Sequence, residues 1–151
     1  DIQDLEMISR KTLHLLTFDQ VKARLREKNI TIHEQIWAIC AGNIDSLDDL
    51  LYWQNILSSE FDIACTSFAD TDKQVLTAAL ETVPSKFEEG TWQNWAKDIT
   101  NKTGIKGKPL FMVLRLALTG KDKGPEMKDF ICLLSPDIVI KRLKSALSKE
   151  L

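Results

Sequence analysis

The sequence predicts an all-α fold, and three observations carry that prediction. Helix-start signatures recur along the chain, and apolar residues follow them at helical spacing. No run of four or more residues alternates apolar and polar side chains with β-branched enrichment. Thr17-Phe-Asp-Gln20, Thr31-Ile-His-Glu34 and Thr71-Asp-Lys-Gln74 fit the capping box. In that motif a hydroxyl accepts one unpaired backbone N–H and the residue three positions on reaches back to the cap. Ser46-Leu-Asp-Asp49 is a variant that closes on Asp. Behind these starts lie apolar stripes: Phe18, Val21 and Leu25; Leu47, Leu50, Leu51 and Leu57 with Trp53 nearby; Val75, Leu76, Ala79 and Leu80. Trp92, Trp95 and Ile99 form the next, and Gly104 follows where a helix C-terminal cap belongs. Pro109, Pro125 and Pro136 stand at expected first-turn positions, where the missing N–H costs nothing. Leu110, Val113, Leu114 and Ala117 follow the first of them, Met127, Phe130, Ile131 and Leu134 the second, and Ile138, Val139, Leu143 and Leu147 the third. The pattern amounts to about eight short helices and no sheet.

A chain of 151 residues holds one good core or two small lobes. Its 44% hydrophobic and 28% charged residues are ordinary for a soluble globular protein. No apolar run reaches the roughly 18 residues that a membrane span needs. The chain opens at Asp1 inside a helical pattern without a basic-then-apolar leader, and is expected to be a piece of a longer polypeptide. Cys40, Cys65 and Cys132 are odd in number, widely spaced and set among apolar residues, which fits reduced thiols in a cytoplasmic protein. The patchy stretch Phe61–Asp70 is the one soft joint, placing a proximal lobe at 1–66 and a distal lobe at 67–151.

The net charge of −2 conceals an asymmetry. Residues 1–28 carry six Lys/Arg against five Asp/Glu, residues 29–100 three against twelve, and residues 101–151 eleven against five. Such a contrast implies that one part of the chain avoids polyanions and another attracts them.

Nothing in the sequence assembles a catalytic set. His14 and His33 have no companion ligand at metal spacing, and His33 reads as a helix-start residue. Asp45, Asp48 and Asp49, and also Glu88 and Glu89, read as solvated carboxylates at helix starts. Gly120-Lys-Asp-Lys-Gly-Pro125 is not a nucleoside-triphosphate loop, because Pro125 stands where that motif needs lysine and no strand precedes it. No catalytic residue and no metal site is expected.

The basic segment carries the binding chemistry. Six lysines fall between Lys102 and Lys128 and most flank turns; Lys102, Lys106 and Lys108 bracket Gly104 and Gly107. Arg115 lies on the helix between the two glycine turns, and Trp92, Trp95 and Phe111 are close in sequence. Charge for phosphates beside aromatic faces for splayed bases suits single-stranded RNA. The two tryptophans, three apart, also read as core residues.

Thr103-Gly-Ile-Lys-Gly-Lys-Pro-Leu-Phe-Met-Val-Leu-Arg-Leu-Ala-Leu-Thr-Gly120, followed by Gly124-Pro-Glu-Met127, closely resembles the distal anticodon-binding region of bacterial glutamyl-tRNA synthetases. That family shows a Gly-x-Lys-Gly-Lys turn, Leu-Arg-x-Ala-x-Thr-Gly, Gly-Pro-Glu-Leu and a final helix with an Arg-Leu pair. Arg142-Leu143 fits the pair, Trp92 and Trp95 fit the family's two-tryptophan helix, and Ile8-Ser-Arg-Lys11 with Leu16–Val21 resembles the junction after the catalytic core. The resemblance implies a two-lobe helical cage. It implies a parent enzyme that joins glutamate to tRNA with ATP and magnesium through a catalytic core whose motifs are not found here. The chain itself is expected to be non-catalytic, to hold no cofactor, and to be monomeric and cytoplasmic. Its implied partner is a glutamate tRNA, with glutamine tRNA as a second candidate. The resemblance carries tRNA contact onto Lys106, Lys108, Arg115, Thr119, Lys121 and Lys123, and turn-shaping onto Gly104, Gly107, Gly120, Gly124 and Pro125. The alternative is a non-catalytic helical protein-interaction module, which the acidic middle segment would serve.

Overall fold

A computed structural model of the chain describes residues 10–58 and 68–148. The expected joint at Phe61–Asp70 and the Ile8-Ser9 half of the proximal motif fall largely or wholly outside that set. Among the described residues there are nine α-helices, two single-turn 3-10 segments and no strand. Two compact units emerge, Asp1–Ser58 and Ser59–Leu151.

In the first unit α1 spans Arg10–Leu15, α2 Phe18–Arg26, α3 Glu34–Cys40 and α4 Leu47–Asn55, with a 3-10 turn at Ala41–Asn43. The Thr17 capping box forms with both bonds, Gln20 N–H to the Thr17 hydroxyl and Thr17 N–H to the Gln20 amide oxygen. Ser46 caps α4 by accepting from the Asp49 N–H, and Asp49 accepts from the Asp45 N–H in return. The box expected at Thr31 does not form. His33 occupies the cap position without a side-chain bond, because the Gln54 amide holds the segment extended: it accepts from the His33 N–H and donates to the Thr31 carbonyl. His14 donates from its ring to the Ile44 carbonyl at 3.0 Å. Val21, Leu25, Ile36, Cys40, Leu47 and Leu50 close the core without solvent exposure.

In the second unit α5 spans Asp70–Glu81, α6 Thr91–Thr103, α7 Lys108–Thr119, α8 Met127–Phe130 and α9 Pro136–Ser148, with a 3-10 turn at Ile131–Leu133. Helix α5 packs against α6, α7 and α9, so it is the centre of this bundle. The helix begins at Asp70, capped by Ala69 rather than Thr71, which lies inside its first turn and cannot cap. Pro109 and Pro136 sit in first turns as expected. Pro125 does not: α8 starts two residues later, and the Pro125 carbonyl is taken by Arg115 instead. Trp95 is buried against α5, its indole N–H shared between the Ala79 carbonyl and the Thr82 hydroxyl, both at 3.2 Å. Leu76, Ile99, Leu110, Leu114, Phe130 and Leu143 fill the interior around it.

Burying one such side chain contributes about 1.5–3 kcal/mol. The exposed Lys102–Glu81 pair at 3.0 Å contributes far less, because water screens it. Leu76→Ala is therefore expected to destabilise the chain by about 2–5 kcal/mol in urea unfolding, through lost transfer energy and a residual cavity. A loss below about 1 kcal/mol would contradict the central place given to α5.

Candidate nucleic-acid interface

The site is built from two turns and the helix between them. The first turn leaves α6 at Gly104, whose left-handed φ of 76° and N–H to the Thr100 carbonyl close the helix. The Thr103 hydroxyl donates to the Ile99 carbonyl and accepts from the Ile105 N–H, so it carries the chain out of the last turn. Gly107, at φ 73°, caps α7. A Cβ at Gly104 or Gly107 would meet nothing within 4 Å, so these positions need glycine for the backbone angle and not for space. Lys106 and Lys108 flank Gly107 and are both exposed.

The second turn leaves α7 at Gly120, again left-handed, with its N–H on the Leu116 carbonyl. Thr119 is fully buried. Its hydroxyl donates to the Arg115 carbonyl at 2.7 Å, lies 3.2 Å from the Lys121 carbonyl and accepts from the Lys121 N–H. It therefore shapes the turn, with its hydroxyl engaged within the chain. Lys121 and Lys123 are exposed on the turn. Half-buried Arg115 donates to the Pro125 carbonyl at 3.1 Å and ties the far end of the turn back to α7. Burial lowers the Arg115 guanidinium from the usual arginine range, against the opposing charges of Glu126 and Asp122.

Between α6, α7 and the start of α8 lies a groove of about 610 Å³. Its floor includes Trp92, Phe111, Met112 and Met127, and Lys108, Arg115 and Lys128 also line it against one carboxylate, Glu126. The aromatic rings step outward from the core. Trp95 lies 5.8 Å from Trp92 edge-on, and Trp92 lies 5.9 Å from Phe111 at 31°. Trp95 is 1% exposed and Phe111 is 41% exposed, so the series ends on a face open to solvent.

Of the expected contacts, Lys108 and Arg115 meet in this groove, while Lys106, Lys121 and Lys123 stand exposed on the adjoining turns. Lys102 does not join them. It pairs with Glu81 and lines a separate groove with Asp70 and Lys73. The structure adds Lys128, the end of the basic segment, and the exposed face of Phe111 to the groove lining. The second had a signal, since Phe111 is out of phase with the Leu110, Val113, Leu114 and Ala117 stripe.

Neither described thiol is prepared as a nucleophile. Burial pushes the Cys40 thiol up to about 12, and burial with nearby Asp129, Glu88 and Glu89 pushes Cys132 up as well. A reactive cysteine needs the opposite shift.

A family model described as "Anticodon binding domain" matches residues 14–147. The chain is similar to glutamate–tRNA ligase 1 of Rickettsia felis, 39% identical over 146 residues, covering 95% of this chain and 32% of that protein. It is also similar to glutamate–tRNA ligase 1 of Rickettsia prowazekii, 38% identical over 143 residues, covering 94% and 31%. The chain thus spans about a third of the length of the curated relatives it matches. In fold it is similar to the crystal structure of the glutamate-tRNA synthetase from Elizabethkingia anophelis, with a TM-score of 0.61 at 18% identity, covering 97% of this chain and 30% of that one.

The two described thiols have a testable order of reactivity. At pH 8, iodoacetamide is expected to label exposed Cys132 slowly and Cys40 only after unfolding. Because the Cys40 thiol rises from 9.0 to about 12 on folding, its stabilising effect is complete below pH 9 and is lost as pH climbs towards 12. Rapid native labelling of Cys40 would contradict its burial.

Proposed function

The chain belongs to the anticodon-binding domain family, and from that premise we propose that it is the anticodon-binding region of a glutamate–tRNA ligase. In this reading it grips the anticodon end of a glutamate tRNA, with glutamine tRNA a second candidate, while a catalytic part outside this chain performs the ligation. The glutamate assignment is supported by the names of the relatives. A monomeric state and a cytoplasmic location go with it.

The observation that carries the reading is Phe111. An aromatic ring that is 41% exposed, backed by Trp92 and bordered by Lys108, Arg115 and Lys128, is a stacking face inside a ring of cations. Unpaired bases offer π-faces that stack on such rings, and their phosphates need the cations. Lys106, Lys121 and Lys123 extend the positive surface along the two turns. The Gly120–Pro125 turn lacks the phosphate-binding lysine of a P-loop. Chemistry with ATP belongs, in this reading, to the part of the relatives that the chain does not match.

Charge and stacking are separable by experiment. Four lysine contacts on single-stranded RNA give a log–log salt dependence of binding with a slope of about −3. Replacing Lys106, Lys108, Lys121 and Lys123 together with Ala is expected to flatten that slope for the anticodon stem-loop of glutamate tRNA, leaving the part due to Arg115 and Lys128. Phe111→Ala is expected to cost about 1–3 kcal/mol of affinity with the slope unchanged. An unchanged slope in the quadruple variant would overturn the lysine assignment. Binding to a protein partner with no affinity for any tRNA stem-loop would overturn the function.

A further inference from the structure

The Lys121–Glu126 turn has no helical or strand backbone of its own, so side chains must fix its position. Its start depends on where α7 stops. The last four carbonyls of any helix have no partner within it. In α7 the Leu116 carbonyl is taken by the Gly120 N–H, and the Leu118 carbonyl is taken by a side chain from α9. That side chain is Arg142, whose Nη1 donates to it at 2.9 Å. Arg142 is only 5% exposed.

A guanidinium is a costly way to fill an interior. Replacing buried charges with apolar side chains of similar volume is often neutral or stabilising. Volume therefore does not explain an arginine at this position; the bond it makes does. The guanidinium also sits at the negative end of the α7 dipole, which favours a cation. Together with Thr119, which ties the Arg115 carbonyl to the Lys121 backbone, it sets the helix end from two sides.

We propose that Arg142 is a positioning residue for RNA recognition: by holding the Leu118 carbonyl it fixes the end of α7 and so the placement of the Lys121–Glu126 turn, without touching the RNA itself. The proposal rests on the anticodon-binding reading above. In its absence the lysines keep their charge, and what is lost is their registry with the groove.

The test has one arm without RNA and one with it. In free Arg142→Met, amide exchange at Gly120 and Lys121 is expected to quicken about tenfold, the scale set by one hydrogen bond to a charged group, while the α5 amides hold. Binding is read as the ratio of affinities for the glutamate anticodon stem-loop and the same stem-loop with its anticodon bases replaced. That ratio is expected to fall about tenfold, with the weaker, charge-driven affinity retained. Arg142→Lys keeps the cation but not the planar fork, and reads the same two quantities if the methionine variant does not fold. It is expected to show the same pattern at about threefold, since a single-point donor only partly replaces the guanidinium. Native exchange at Gly120 and Lys121 in either folded variant would overturn the proposal. So would exchange quickening throughout the second unit with equal loss of both RNAs, which is the mark of a merely structural role. If the unaltered chain binds neither stem-loop, the anticodon reading falls, while the exchange arm still decides the brace.

Discussion

The second unit depends on how one helix ends. Helix α7 carries the aromatic face and two of the cations on its body, and hands two more lysines to the turn that follows. A helix end leaves carbonyls that must find donors, and a turn without regular structure leaves more. Beside the Gly120 N–H on the Leu116 carbonyl, the donors are side chains: Thr119 to Arg115, Arg142 to Leu118 and Arg115 to Pro125. No buried side-chain nitrogen or oxygen among the described residues lacks a partner. A loop tied at both ends by charged or buried donors loses little further entropy when a ligand arrives, which is the physical content of preorganisation.

Labour is divided by depth. Lysines stand exposed on the two turns, where their charge stays hydrated. Phe111 sits where the aromatic series reaches the surface, and Trp95 and Trp92 beneath it anchor that series in the core. The arginines are placed deeper, half-buried at Arg115 and buried at Arg142, where a planar fork holds backbone carbonyls in a fixed direction. One carboxylate, Asp122, lies between the two lysines of the second turn. The groove admits one, Glu126, next to three cations.

The helical framework was legible because its signals are local. Apolar stripes at helical spacing put Val75, Leu76 and Ala79, and Leu110, Val113 and Leu114, on the faces that are buried. The misplaced starts have distant causes. Thr31 looks like a cap until Gln54, from another helix, takes the backbone on either side of it. Pro125 looks like a first-turn proline until Arg115 claims its carbonyl. The exposure of Lys106, Lys108, Lys121 and Lys123 on the turns was legible because lysine beside glycine is a property of turns. Thr119 was not, because its burial is set by tertiary packing and a hydroxyl reads alike in both settings. Lys102 shares its segment with the others but faces Glu81, since the left-handed Gly104 turns the chain between them. Arg142 was visible only as half of a motif match; the carbonyl it holds is 24 positions away in sequence.

The central claim is that the two glycine turns and the Phe111 groove together form the surface that meets the anticodon end of a tRNA. A nuclear magnetic resonance titration of the chain with the anticodon stem-loop of glutamate tRNA tests it most directly, because each backbone amide reports separately. Shifts are expected to gather at Gln93, at residues 104–115 and at residues 120–128. Shifts confined to residues 10–58, or none at saturating stem-loop, would contradict it.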